Sequence, residues 1–195
     1  MNKKKIIQIG IIIFVIVFVA ICVAIVQFSK HNLEEAKKNL QETQEKYGWV
    51  EKESVDVLVA KFNTQVMDND SSSLNPASTD YLTESNNEYW YGLIEGVYLV
   101  VVPEKYTGDK TTEIVNYTLL YVDKTSKYES DAISYIKYLI KANNSEITDS
   151  EIDTLLEDAK TKINSGKTAN NGKGISIGYT EKDEAYQYQV LRLYK

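Results

Sequence analysis

The chain has 195 residues, enough for one ordinary domain with additional segments. Its net charge is −6, but Lys3, Lys4 and Lys5 precede an apolar run and every acidic residue follows it. The chain after that run therefore carries 19 basic against 28 acidic residues. This balance argues against nucleic acid or an anionic lipid surface as a partner.

Single residues exclude further classes of site. Cys22 is the only cysteine, so the chain can form neither an intramolecular disulfide nor a thiolate metal site. His31 is the only histidine, and because it lies beside the apolar run, the remainder can hold no histidine triad and no His/Cys metal site. We expect no cofactor and assign no catalytic residue. Arg192 is the only arginine, and this bias, with many Asn, Ile and Tyr residues, indicates a low-GC bacterial genome.

The opening stretch MNKKKIIQIGIIIFVIVFVAICVAIVQFSKHN predicts a membrane anchor. A lysine-rich start, residues 1–5, precedes the apolar residues 6–28, which as a helix would span roughly 34 Å against a hydrocarbon core of ~30 Å. The alternative is a cleaved signal peptide, but its best site, Cys22-Val23-Ala24, is followed by further apolar residues. We therefore predict a retained signal anchor crossing the cell membrane once. The lysines place the N-terminus in the cytoplasm and residues 29–195 outside.

Residues 29–48 are predicted to form a helical stalk. Leu33, Ala36, Leu40, Thr43 and Tyr47 alternate at spacings of three and four, which is a narrow helical stripe. The stripe permits a coiled-coil seam between two copies of the chain. It covers only about two heptads, however, so a solvated helix is favoured over a homodimer.

Residues 49–195 are predicted to form an extracytoplasmic domain, here called the head. Its first helix follows Ser54, and the strands EYWYGLI and VYLVVV follow, joined by a turn at Glu95-Gly96. The strand EIVNYTLLYVD comes next. Two helices, SDAISYIKYLIKANN and TDSEIDTLLEDAKTKI, precede the strands GISIGYT and EAYQYQVLRLYK, and the second helix opens with a Thr148-x-x-Glu151 capping box. This order predicts an α+β fold with an antiparallel sheet and helices on one face.

Aromatic residues supply the predicted partner surface. Strand alternation separates Tyr89 and Tyr91 from Trp90 and Ile94, and we expect Trp90 and Ile94 inside because the indole has the most apolar area to bury. The alternative is that the tyrosines line the core and expose only their hydroxyl groups to solvent. The residues proposed to face a protein or cell-wall partner are Tyr89, Tyr91, Tyr186 and Tyr188.

Two loops resemble ligand motifs without completing them. Asp68–Ser72 starts like a calcium loop but lacks the glycine and glutamate at its later positions. TANNGKGISIGY has the spacing G-x-G-x-x-x-G and leads into a strand, whereas a phosphate loop leads into a helix. Both are interpreted as ordinary turns.

The stretches LNPASTDYL, EYWYGLIEGVYLVV, YLIKANNSEITDSEI and NGKGISIGY resemble uncharacterised single-pass, membrane-anchored extracytoplasmic proteins of clostridia-like, low-GC Gram-positive bacteria. The resemblance covers most of residues 50–195 and implies only a location. Pilin-like subunits share the outline, but the glutamate they carry is Val15 here. Membrane-anchored type IV secretion components also share it, yet their helices mostly precede the sheet.

The expected function is a non-catalytic interaction or assembly module. The alternatives are an extracytoplasmic enzyme that uses carboxylates and a pilin-like or secretion-system subunit.

Overall fold

The computed structural model describes residues 34–35, 37–39, 41–42, 48–69, 74–163 and 165–194. The predicted anchor, residues 6–28, lies outside the described residues. No helix within the described ranges is long and apolar enough to cross a membrane. The chain divides into two units at Thr43/Gln44, near the predicted border at residue 48. In the first unit, the described residues 34–35, 37–39 and 41–42 are helical.

The second unit has the predicted α+β architecture. The elements in chain order are α1 (Val55–Asn69), a 3₁₀ turn (Thr79–Tyr81), β1 (Leu82–Ser85), β2 (Glu88–Ile94), β3 (Val97–Pro103), β4 (Val115–Asp123), α2 (Glu129–Asn143), α3 (Asp149–Thr161), β5 (Ala169–Asn170), β6 (Ile175–Glu181) and β7 (Ala185–Arg192). The strands form one antiparallel sheet in the order β1-β2-β3-β4-β7-β6-β5. β3 lies inside this sheet, as predicted from its lack of a polar face.

Local sequence signals account for the turns and helix starts. Asn86 and Asn87 both have positive φ, 53° and 64°, which suits a two-residue hairpin between β1 and β2. Gly96, at φ 77°, forms the predicted turn between β2 and β3. The predicted capping box is confirmed, because the Thr148 hydroxyl accepts from the Glu151 N–H and the Glu151 carboxylate accepts from the Thr148 N–H.

One hydrophobic core lies between the helices and one face of the sheet. The predicted stripe of α1 is buried (Val55, Leu58, Val59, Phe62 and Val66). α2 packs on β4 and β7, and α3 packs on β5 and β6. The inward side chains of β2, β3, β4, β6 and β7 belong to the same core cluster. The helices therefore cover one face of the sheet and leave the opposite face without a helix.

Candidate binding surface

The predicted partner surface is wrong, because all four of its tyrosines are buried. Tyr89, Tyr91, Tyr186 and Tyr188 are 0%, 2%, 5% and 1% exposed and belong to the core under the helices. The phenolic group of Tyr89 is accommodated there because its hydroxyl donates to the Glu113 carboxylate at 2.6 Å. Their burial supports the alternative interpretation, in which these tyrosines line the core.

Side chains of alternate strand positions form the opposite face of the sheet, here called the open face. Trp90 lies on it, contrary to expectation, whereas Ile94, after a register shift, is half-buried against the core. The open face is defined by Trp90, Tyr98, Val100, Val102, Tyr117, Leu119, Tyr121, Gln187, Gln189 and Leu191. None of these residues belongs to the core cluster or packs against it as a partly buried neighbour.

Three rings lean over β3 on the open face. The Trp90 and Tyr121 ring centroids are 5.8 Å apart, and Tyr98 lies 6.2 Å from Trp90 and 6.1 Å from Tyr121. β2 and β4 are separated by β3, so their backbones are about 9.6 Å apart. The shorter ring distance means that the side chains converge above β3. Val100, which pairs with Trp90 across β2–β3, is completely buried although no helix covers it.

These three rings, here called the aromatic cluster, form a tilted group and not a flat platform. Their mutual interplanar angles are 59°, 60° and 63°. Tyr98 is 37% exposed, and Trp90 and Tyr121 are half-buried. The Trp90 indole N–H donates to Glu88 at 3.0 Å, which fixes the ring at the border of the open face.

A further tyrosine begins close to the open face near the sheet edge. Gly92 pairs with Tyr98 and has no side chain, and a Cβ there would lie 3.5 Å from the Cβ of Tyr81. Tyr81 is 71% exposed, so its side chain starts near the glycine and is largely in solvent.

A polar cavity adjoins the other side of the aromatic cluster. Tyr121 pairs with Gln187, and Gln187 pairs with Thr180 on β6. These three residues line a cavity of about 380 Å³ together with Ala185 and the β6–β7 turn, which contributes Lys182, Asp183 and Glu184. The open face thus passes from rings to amide, hydroxyl and charged groups within one row of the sheet.

The buried carboxylates of the head stabilise the fold and do not form an acid–base pair. Glu53 pairs with Arg192 at 2.6 Å and with Lys61 at 2.5 Å. Burial alone would raise the pKa of Glu113, but hydrogen bonds from Tyr89, Thr107 and Gly108 outweigh it and lower that pKa. A general acid at neutral pH needs a raised pKa, so Glu113 is unsuited to that role.

Glu151 is held in the same ionised state at the start of α3. Hydrogen bonds from Lys173 and Thr148 lower the pKa of Glu151 to about 2. Among the described residues, no group of three or more His, Cys, Asp or Glu side chains is placed to hold a metal ion.

The glycine-rich loop contacts the chain itself. A Cβ on Gly174 would lie 2.3 Å from the carbonyl carbon of Trp49, and a Cβ on Gly48 would lie 2.4 Å from the Gly172 oxygen. The next residue, Val50, donates its N–H to Leu193 at 2.7 Å, and Leu193 donates to Gly174 at 2.8 Å. The predicted turn is confirmed, and its glycines allow residues 48–50 to pack backbone to backbone against it.

Fold and surface together define an α+β protein whose seven-stranded antiparallel sheet is covered by helices on one side and carries a cluster of aromatic rings on the other. Comparison of the chain with protein-family models, curated protein sequences and solved structures gives no match.

Proposed function

We propose that this chain is a membrane-anchored, extracytoplasmic binding module without catalytic activity. Residues 6–28 hold it in the cell membrane, the stalk links the head to this segment, and the open face binds the partner. The observation that carries the proposal is the composition of the open face. Its central rows carry no charged side chain, although the chain beyond the anchor carries 28 acidic residues. The two charged residues at the same alternate positions, Glu88 and Asp123, lie at strand ends.

The middle of the open face is therefore rich in aromatic and aliphatic side chains, whereas the chain as a whole is acidic. Contiguous exposed apolar patches on soluble domains commonly mark interaction sites, since they otherwise promote aggregation. Aromatic side chains are also the residues that contribute most to binding surfaces. The alternative of an enzyme that uses carboxylates is not favoured. The buried carboxylates Glu53 and Glu113 already bind Arg192 and Tyr89 within the fold.

The surface is tested by photo-crosslinking in intact cells. A benzoylphenylalanine at position 98 or 121 should form covalent adducts with the bound partner. The same residue at Val57 or Met67 should give none, because these exposed positions lie on α1, away from the open face. Equal labelling from all four positions, or none from 98 and 121, would contradict the proposed binding face.

The anchor is tested separately by protease treatment of intact, wall-stripped cells. Residues beyond about 30 should be digested while the membrane segment stays protected. A mature chain that begins near Ile25 would show that the apolar run is a cleaved signal peptide.

A further inference from the structure

We infer that the occupant of the open face is a neutral glycan chain that lies across the strands from Tyr81 to Thr180. This inference rests on the proposed function, because it names the ligand of the same surface. The path follows one row of the sheet, in which successive positions pair across strands: Gly92, Tyr98, Tyr121, Gln187 and Thr180. Four strand spacings of ~4.8 Å give this row a length of about 19 Å, so it suits an extended chain.

The side chains along this row suit the two kinds of group that a sugar presents, its C–H groups and its hydroxyl groups. The C–H groups of a pyranose carry partial positive charge and pack on the negative faces of aromatic rings. The aromatic side chains along this path are Tyr81 and Tyr98, which are exposed, and Tyr121, which is half-buried. The hydroxyl groups of a sugar need hydrogen-bonding partners. The Gln187 amide and the Thr180 hydroxyl provide these at the end of the row.

The polar cavity fits a small saccharide unit. Its volume of about 380 Å³ lies within the range of ordinary small-ligand sites, ~300–1,000 Å³. Asp183 and Glu184 add carboxylate acceptors and Lys182 adds an ammonium donor at its rim. A neutral polyol can use both kinds of group. A polyanion such as a phosphate-rich polymer would meet two carboxylates against one lysine.

The size of the open face argues against a protein or a second copy of the chain. Three rows of side chains across β2, β3, β4 and β7 have a flat footprint of about 400 Å² when strand spacing and rise are multiplied out. A stable protein interface buries ~800 Å² of accessible surface on each partner, so it would have to extend beyond this footprint onto the charged strand ends and loops. Two copies would also bring together two heads of like, negative charge. A glycan chain requires neither the larger area nor a complementary charge.

The test uses the full chain in lipid nanodiscs and the fluorescence of Trp90. The chain has two tryptophans, so Trp49→Phe leaves Trp90 as the only indole reporter. The probes are two neutral tetrasaccharides, one of β-linked N-acetylglucosamine and one of β-linked glucose. We expect a saturable change in Trp90 emission with at least one of them.

The variants locate the bound sugar on the row. Tyr98→Leu and Tyr121→Leu keep an apolar cover over Val100 but remove a ring, and each should weaken binding roughly 2- to 12-fold. Gln187→Ala should weaken it as well, whereas the matched Gln65→Ala on α1 should leave affinity unchanged. Absence of saturable binding with both probes, or unchanged affinity in the row variants, would overturn the glycan inference.

This result is distinguishable from failure of the proposed function. If positions 98 and 121 form protein adducts in cells while neither sugar binds, the glycan inference is wrong and the binding face stands. If neither position forms adducts and neither sugar binds, the binding face itself is wrong.

Discussion

Replacing Gly174 by alanine tests whether the head depends on backbone packing between residues 48–50 and the glycine-rich turn. Gly174 has φ 79°, a conformation that costs other residues ~1–2 kcal/mol. Its added Cβ would also lie 2.3 to 2.6 Å from three backbone atoms of Trp49. Backbone cannot rotate aside as a flexible side chain can, so the segment must move away from the turn.

The cost of that movement is set by Val50. Its N–H loses the 2.7 Å hydrogen bond to Leu193, which contributes roughly 0.5–1.5 kcal/mol, and its side chain, now 7% exposed, loses burial of ~1.5 kcal/mol or more. Gly174→Ala should therefore lower the free energy of unfolding by about 3–5 kcal/mol. Gly166→Ala is the matched control, because Gly166 has φ 70° and no atom within 4 Å of an added Cβ. It should cost only about 1–2 kcal/mol.

Urea unfolding of a fragment covering residues 44–195, followed by far-UV circular dichroism, measures both values. This fragment corresponds to the second unit of the chain. Equal losses in the two variants would refute the reasoning, because they would show that only the glycine conformation matters. A fragment that does not unfold cooperatively would show that the head needs the preceding residues.

Three further predictions concern the core, the buried carboxylate and a helix start. Tyr89→Ala should cost ~3–5 kcal/mol and Trp90→Ala clearly less, because only Tyr89 is fully buried; equal losses in urea unfolding would contradict the assigned faces. Glu113 has a lowered pKa, so its contribution to stability is present above the unfolded value of ~4.3 and is lost as pH falls through the folded one. When the urea midpoint is measured at decreasing pH, it should therefore fall less for Glu113→Gln than for the unchanged chain. An equal fall in both would exclude Glu113 as its cause. Thr148→Ala should cost ~1 kcal/mol by removing the cap of α3, whereas exposed Thr154→Ala, measured in the same way, should cost little.

Periodicity was sufficient to predict the larger elements. The buried stripe of α1, the capping box of α3 and the turn at Gly96 depend on residues close in sequence, so local patterns identify them. β1 and β5 were missed because LTES and AN have four and two residues and no apolar alternation. Such short edge strands exist only because a neighbouring strand pairs with them.

The sequence predicts the alternation of side chains along β2 correctly, but it does not predict which of the two faces is buried. Alternation separates Tyr89 from Trp90 but does not say which of them faces the helices. The indole has the larger apolar area, yet Tyr89 is buried because Glu113, 24 residues away, accepts its hydroxyl hydrogen bond. The role of Gly174 was hidden for a similar reason, since its close neighbour is Trp49. Both depend on contacts between distant parts of the chain.

The edges of the sheet are better protected against association with other chains than its open face is. Its edge strands are β1, with four residues, and β5, with two, and short edge strands limit pairing with other chains. Charged residues would limit association through the open face, but they could not cover the buried Val100 side chain. The open face instead holds Trp90, Tyr98 and Tyr121, which cover Val100 and converge above β3. Stability of the sheet alone would require an apolar cover over Val100 but not three aromatic rings. If the proposed ligand packs against the rings, their loss should reduce binding more than it reduces folding.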